Sequence, residues 1–359
     1  MARNKILPLF VPHGGCPHRC VFCDQRQITG CDHLPSESEL FEMLPQDLSA
    51  DTELAFYGGS FTALRDAVRK RYLSFARDLK RAGRIGAIRI STHPAYVDED
   101  VIAELLAYGV DTVELGIQST DEEVLTLAKR GHGREEIFRA AALLSASPLK
   151  WGVQLMVGLP GDTVEKDLRS VAELLPYHPD MARIYPVLVL DHTELGTMYR
   201  QNQYAPLSVA EAVAVSGRMF AMFCYASVQV IRMGLQPTEE IASESDALLA
   251  GPFHPSFGYL VKSALKREQI AMVLKSRSEG ALRILAPKKE LPLVFGDHSQ
   301  NLSLIAEGRD LAVSEGDLPL GTIALVPYDK KKKHEILSVL TWEDFIENYT
   351  EQDRSIYCF

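Results

Sequence analysis

The sequence predicts an α/β protein: a partial (β/α)6 barrel of parallel strands, followed by a small β-rich C-terminal domain. Between residue 5 and about 190, six short apolar runs alternate with amphipathic helical stretches, the pattern of βαβ units feeding one parallel sheet. Five of the runs lead into loops bearing Cys, Gly, Ser, His or Gln, and barrel chemistry gathers at the C-terminal ends of strands. From about residue 280 the runs shorten and are broken by Gly, Pro, Asn and Asp.

The predicted strands cover 6–11, 53–57, 87–91, 112–117, 153–157 and 182–190. A helix over 98–106 opens on Asp98, Glu99 and Asp100, which suit a positive N-terminal dipole, and Gly109 stands just past its end. A second helix, over 162–175, has Asp162 as its expected cap and Pro176 as its stop. Beyond residue 195 come an apolar helix over 208–226, a short strand over 229–232 and a helix over 257–275. Strands at 282–285, 302–305 and 322–326 and a closing helix at 342–348 complete the chain. The expected division is a barrel core over 1–200, an extension over 201–279 and an accessory domain over 280–359.

Composition narrows the function. A formal charge of −10 argues against broad, non-specific nucleic-acid binding, which needs a basic surface. Local basic groups remain, at Lys262, Lys266, Arg267, Lys275 and Arg277 and at Lys330 to His334; each is either one part of a groove or a solvated face. No apolar run reaches the ~18 residues of a membrane span, and the first residues carry no signal-peptide pattern. The expectation is a cytoplasmic protein with no membrane partner. Six cysteines in 359 residues are no disulfide framework; Cys31, Cys224 and Cys358 are scattered and read as free thiols.

The other three are grouped as Cys16, Cys20 and Cys23 in the loop after the first strand. Thiolates are soft ligands suited to iron–sulfur clusters or zinc, and a structural zinc or an ordinary cubane takes four of them. Three leave one iron of a [4Fe–4S] cluster open to another ligand. The alternative is a zinc knuckle completed by His18 or a distant cysteine. Further along, the loops carry Gly58-Gly59-Ser60, Thr92-His93-Pro94, Gln118-Ser119 and Gly158-Leu-Pro-Gly161. Five loops meeting on one rim make a single active site. Its other polar residues include His13, His132, Tyr185, Asp191, His192 and Arg232, each with a packing role as its plainer reading.

The C-x3-C-x2-C spacing resembles that of the radical SAM superfamily. The resemblance implies a TIM-like partial barrel, a [4Fe–4S] cluster on Cys16, Cys20 and Cys23, and S-adenosylmethionine (SAM) chelated at the open iron. Gly58, Gly59 and Ser60 match the glycine-rich motif whose carbonyls accept from the SAM ammonium, with Ser60 where an acid is common. Glu114-Leu-Gly-Ile-Gln118-Ser119, with Arg130 twelve residues past Gln118, is similar to enzymes like oxygen-independent coproporphyrinogen oxidase. There, the arginine meets the SAM carboxylate. Gln154 and Ser91 stand where that family carries acids. The implied SAM-side set is thus Gly58, Gly59, Ser60, Glu114, Gln118, Arg130 and Gln154.

Lys129-Arg-Gly-His132, Met156-Val-Gly-Leu-Pro-Gly161 and Arg183-Ile-Tyr-Pro-Val-Leu-Val-Leu190 resemble the radical SAM core of the Elongator catalytic subunit over roughly residues 5–260. The expectation is an Elongator-like enzyme without the acetyltransferase half. It implies reductive SAM cleavage, an electron donor such as flavodoxin or ferredoxin, and an RNA nucleoside, in tRNA, as substrate. Two alternatives stay open: a small-molecule enzyme of cofactor biosynthesis, and a non-catalytic iron–sulfur scaffold for RNA.

Overall fold

The computed structural model describes residues 5–11, 16, 18–24, 33–235, 247–275, 281–306, 311–328 and 336–359. His13, Cys31, Arg277 and Lys330 to His334 lie outside the described residues.

Strands β1 (Lys5–Phe10), β2 (Thr52–Tyr57), β3 (Ala87–Thr92), β4 (Thr112–Gln118), β5 (Lys150–Val157) and β6 (Met181–Pro186) pair in parallel, in chain order. β7 (Val189–Leu190) leaves this sheet, and β8 (Gln229–Met233) joins it as the seventh strand beside β6. The sheet curls into a half-barrel. Side chains alternate strictly across it, as a period of two requires. Leu54, Phe56, Val113, Leu115, Ile117, Val153, Leu155, Ala182 and Ile184 face the covering helices and are fully buried in the main core. Their neighbours Tyr57, Glu114, Gly116, Gln154, Met156, Arg183 and Tyr185 line the hollow side.

Most expected elements form where the patterns place them. The helix Glu99–Ala107 is capped by the Asp98 carboxylate, which accepts from Val101 N–H at 2.8 Å, and the helix Phe257–Lys275 matches its expected span. Three expectations need correction. The run 182–190 is not one strand: Pro186 has no N–H to continue the ladder, and Val189–Leu190 turns away to pair antiparallel with β9 (Leu248–Ala250). The helix Val164–Leu174 is capped by Thr163, whose hydroxyl accepts from Lys166 N–H, and not by Asp162. Residues 302–305 are helical, within Gln300–Ala306. The Asn301 amide donates to Ser263 O (3.1 Å) and Leu293 O (3.0 Å), so tertiary contacts override a short apolar run that fits either state.

The C-terminal part is a four-stranded sheet in the order β11 (Leu311–Glu315), β10 (Leu282–Ala286), β12 (Ile323–Pro327), β13 (Ser338–Leu340). β10 and β11 run parallel, so the helices between them form the crossover that a parallel pair requires. One long helix ties both parts together. The first half of Phe257–Lys275 buries Phe257, Val261 and Leu265 in the main core, and its second half buries Ile270, Val273 and Leu274 against the small sheet. The closing helix, Trp342–Tyr357, returns to the main core through Phe345 and Ile346. Among the described residues, no helix is long and apolar enough to cross a membrane.

Gln269 is the polar rivet of this junction. It is fully buried; its amide donates to Gly321 O (2.8 Å), Leu340 O (3.1 Å) and Thr341 O (3.2 Å), and its oxygen accepts from Lys266 Nζ (2.9 Å). Gln269→Leu strands those groups, and buried polar atoms without partners cost about 1–3 kcal/mol. Urea unfolding should show a loss of that size, against almost none for the exposed Gln352→Leu. Equal losses would show that the rivet adds nothing.

Candidate active site

A cavity of about 630 Å³ opens within the hollow of the half-barrel, and the grouped cysteines line it. The cysteine loop is strapped at Val21, whose N–H donates to Ala128 O (3.1 Å) and whose carbonyl accepts from Leu195 N–H (2.8 Å). Cys23 N–H donates to Cys20 O (3.1 Å), a turn that brings those two side chains into one neighbourhood. The Cys16 sulfur lies 3.4 Å from Ser60 Oγ, and Arg130 Nη1 donates to the Cys20 sulfur at 2.9 Å. Burial, then the neighbouring Cys20 and Cys16, pushes the Cys23 thiol up to about 12. Three soft donors packed this closely ionise together only against a cationic partner, so the residues present fit an iron–sulfur cluster. Among the described residues, no group of three metal-binding side chains converges as a single ion requires. A cubane is wider than an ion, and its three cysteines hold three different irons.

The seven residues expected on the SAM side all line this cavity. Gly58 has φ 99°, a backbone conformation that side chains rarely adopt, so the turn after β2 needs glycine. Gln118 also has positive φ (73°), at a register shift where β4 skips a residue against β5. Such bulges re-aim side chains next to active sites. Here the shift brings the Gln118 amide oxygen 3.5 Å from Gln154 Nε2. Arg130 Nη2 donates to Gly116 O, and a Cβ at position 116 would come within 3.0 Å of the Gln118 amide.

Glu114 has a different surrounding. Its carboxylate accepts from Arg89 Nη1 (2.6 Å), Arg183 Nη2 (2.9 Å) and the Tyr57 hydroxyl (3.2 Å), and Arg183 Nε binds its other oxygen. Arg89 also pairs with Glu53 at 2.9 Å. Burial alone would raise the Glu114 carboxyl, but Arg183 and Arg89 outweigh it and hold the group below the usual range. With both oxygens engaged, Glu114 acts on the cavity through the groups it fixes.

Of the other rim residues, His93, Tyr185, Arg232 and Ser91 line the cavity, and Asp191 and His192 do not. Asp191 pairs with Arg200, and His192 is exposed. His132 sits behind the wall: its Nδ1 is 2.8 Å from His93 Nε2, which also lies 2.8 Å from Arg130 O. His93 Nδ1 accepts from Ala95 N–H, so the ring proton is on Nε2 and the Arg130 carbonyl accepts it. Sequence reasoning passed over Glu53, Tyr57 and Arg89, and quoted Arg183 only within a motif. The available signal was position: a charge in mid-strand of a parallel sheet interrupts a run that burial on both faces would keep apolar.

An open half-barrel with a cysteine triad facing one cavity defines the site of a radical SAM enzyme. The chain matches the Radical SAM superfamily over residues 10–175 and the Radical_SAM C-terminal domain over 179–267; it belongs to that superfamily, which uses a [4Fe–4S] cluster and SAM. It is 36% identical to the tRNA uridine(34) acetyltransferase of Methanocaldococcus infernus over 183 residues, which make up 45% of this chain and 34% of that protein. Similarity to Elongator complex protein 3 of Homo sapiens is 28% over 138 residues, 38% of this chain and 25% of that one. The chain thus spans about a third or less of the length of these two relatives. The solved structure of the archaeal M. infernus Elp3 with an N-terminal deletion superposes with TM-score 0.56 at 25% identity, covering 74% of this chain and 63% of that one.

The two imidazoles give a pH signature. Burial first, then the nearby Arg130 charge, lowers His93 from 6.5 to about 4, and the same causes with His93 added lower His132 to about 2. Folded values below the unfolded one mean stability that is whole above about pH 6.5 and lost as pH falls toward 4. Urea unfolding of the cluster-free full chain should show that decline, and His132→Phe should flatten it. An unaltered slope in the variant would mean that His132 is not held neutral.

Proposed function

We propose that this enzyme reductively cleaves SAM and uses the resulting radical to modify a nucleoside of tRNA. It does so in the cytoplasm, with electrons from a flavodoxin- or ferredoxin-type donor. One observation carries the reading: Cys16, Cys20 and Cys23 open onto the same cavity as Arg130, Gln118 and Gln154. When bound, the cluster supplies the electron that splits SAM into methionine and a 5′-deoxyadenosyl radical.

The chain's own residues hold and orient. Cys16, Cys20 and Cys23 ligate the cluster. The turn at Gly58, Gly59 and Ser60 leaves backbone carbonyls open to the SAM ammonium, because neither glycine carries a side chain to block them. Arg130 takes the SAM carboxylate. Its guanidinium is already anchored on Gly116 O and the Cys20 sulfur, so little entropy is lost on binding. The Gln118 and Gln154 amides offer donors and acceptors to ribose hydroxyls. Apolar Ile6, Pro8, Phe10, Leu188 and Leu190 line the remaining wall and keep water from the site. The tRNA substrate is supported by the likeness to tRNA uridine(34) acetyltransferases and Elongator complex protein 3. The chain's net charge of −10 favours the rival small-molecule substrate.

Anaerobic reconstitution should give about four irons per chain and slow 5′-deoxyadenosine formation from reduced protein and SAM alone. One tightly held zinc and no iron would end the reading. Arg130→Ala should keep its cluster and bind SAM roughly tenfold more weakly, the usual cost of one charge-assisted hydrogen-bonded pair. The substrate is tested separately, by nucleoside mass profiles of tRNA from cells with and without the gene, together with tRNA binding across a salt series. Identical profiles with no salt-dependent binding would leave the small-molecule reading standing.

A further inference from the structure

At the edge of the sheet away from β1, the cavity wall carries a second polar centre that SAM binding does not use. Arg183 and Tyr185 on β6 and Arg232 on β8 all line the cavity. Their meeting depends on a register shift. Ala182 stands opposite Val230, yet Arg183 stands opposite Arg232, so the ladder passes over Ile231. Regular alternation would turn Arg232 toward the helices; the shift turns it into the hollow. Like charges directly opposite on neighbouring strands repel, so the arrangement costs stability unless an anion is held there.

The hydroxyl of Tyr185 completes the centre. It accepts from Arg183 Nη1 at 3.1 Å, which leaves its own proton to give. Arg183 is itself fixed by Glu114 and by the Tyr57 hydroxyl (2.7 Å), so Tyr185 is aimed by a buried, rigid network. Arg232 Nε donates to Gly234 O (3.2 Å), which holds the base of that guanidinium against the turn after β8. Among the described residues, the charged groups on the cavity wall are three arginines and one carboxylate, and the carboxylate is shared by Arg89 and Arg183.

We propose that Tyr185 and Arg232 form an oxyanion subsite that holds a phosphate or carboxylate group of the second substrate. The radical centre is then presented to a substrate anchored at its charged end. The inference rests on the reading of this cavity as the shared SAM and substrate site. Its test reads binding without reductant, so its failure and that of SAM cleavage are told apart.

Two matched pairs of probes are titrated calorimetrically into the anaerobic, cluster-reconstituted full chain with SAM present. They are uridine 5′-monophosphate against uridine, and succinate against succinamide. The wild type should prefer the anion in one pair by about tenfold. A preference in the first pair identifies a nucleotide phosphate, and one in the second a carboxylic acid. Arg232→Gln should erase the preference, Arg232→Lys should keep part of it, and Tyr185→Phe should reduce it. Should Arg232→Gln fail to fold, Tyr185→Phe alone decides, because it removes one hydroxyl and keeps the ring. No preference in either pair, or one that survives both Arg232→Gln and Tyr185→Phe, overturns the proposal.

Discussion

Four ionised side chains buried in a row, Glu53, Arg89, Glu114 and Arg183, hold the hollow face of the sheet in shape. They come from β2, β3, β4 and β6, and their charges sum to zero. Removing such groups from water costs several kcal/mol each, and their mutual attraction repays this only when every partner is in place. The ladder is therefore poor as a source of stability and strong as a constraint. A strand displaced by one residue would leave a charge without its partner, so the network penalises the wrong register. The same guanidinium that closes the ladder, Arg183, fixes Tyr57 and Tyr185 in the cavity wall.

On this frame the polar residues are aimed by two departures from regular pairing. The shift at Gly116 and Gln118 brings one amide to another, and the shift between Ala182 and Arg183 brings Arg232 into the hollow. Both are invisible in a hydrophobic pattern, because a bulge changes which face a residue takes without changing its identity.

This explains what could be read from the chain directly. The strands β1 to β5, the helix over 257–275 and the cysteine triad were legible because each rests on local signals: periodicity, caps and ligand spacing. All seven residues named for the SAM side face the cavity, because the strand-end rule locates loops even when it says nothing of contacts. What it could not give was the commitment of Glu114 to Arg89 and Arg183, since partners 25 and 69 residues away meet only in the folded sheet. Nor could it tell helix from strand at 302–305, where Asn301 and distant carbonyls decide.

The motif Lys129-Arg-Gly-His132 gains a physical reason from the same geometry. Arg130 must reach the Cys20 sulfur while remaining a lone charge among buried groups, and each neighbour in the motif serves that end. Gly131 has φ 70°, and a Cβ there would stand 2.3 Å from the His18 ring, so only glycine lets the turn pack onto the cysteine loop. His132 and His93 brace the Arg130 peptide through one shared proton and stay neutral because burial and that same guanidinium forbid a second positive charge. A protonated imidazole there would compete with Arg130 for any anion brought to the cavity. Keeping two histidines uncharged beside it leaves Arg130 as the cation nearest the cysteine end of the described cavity wall.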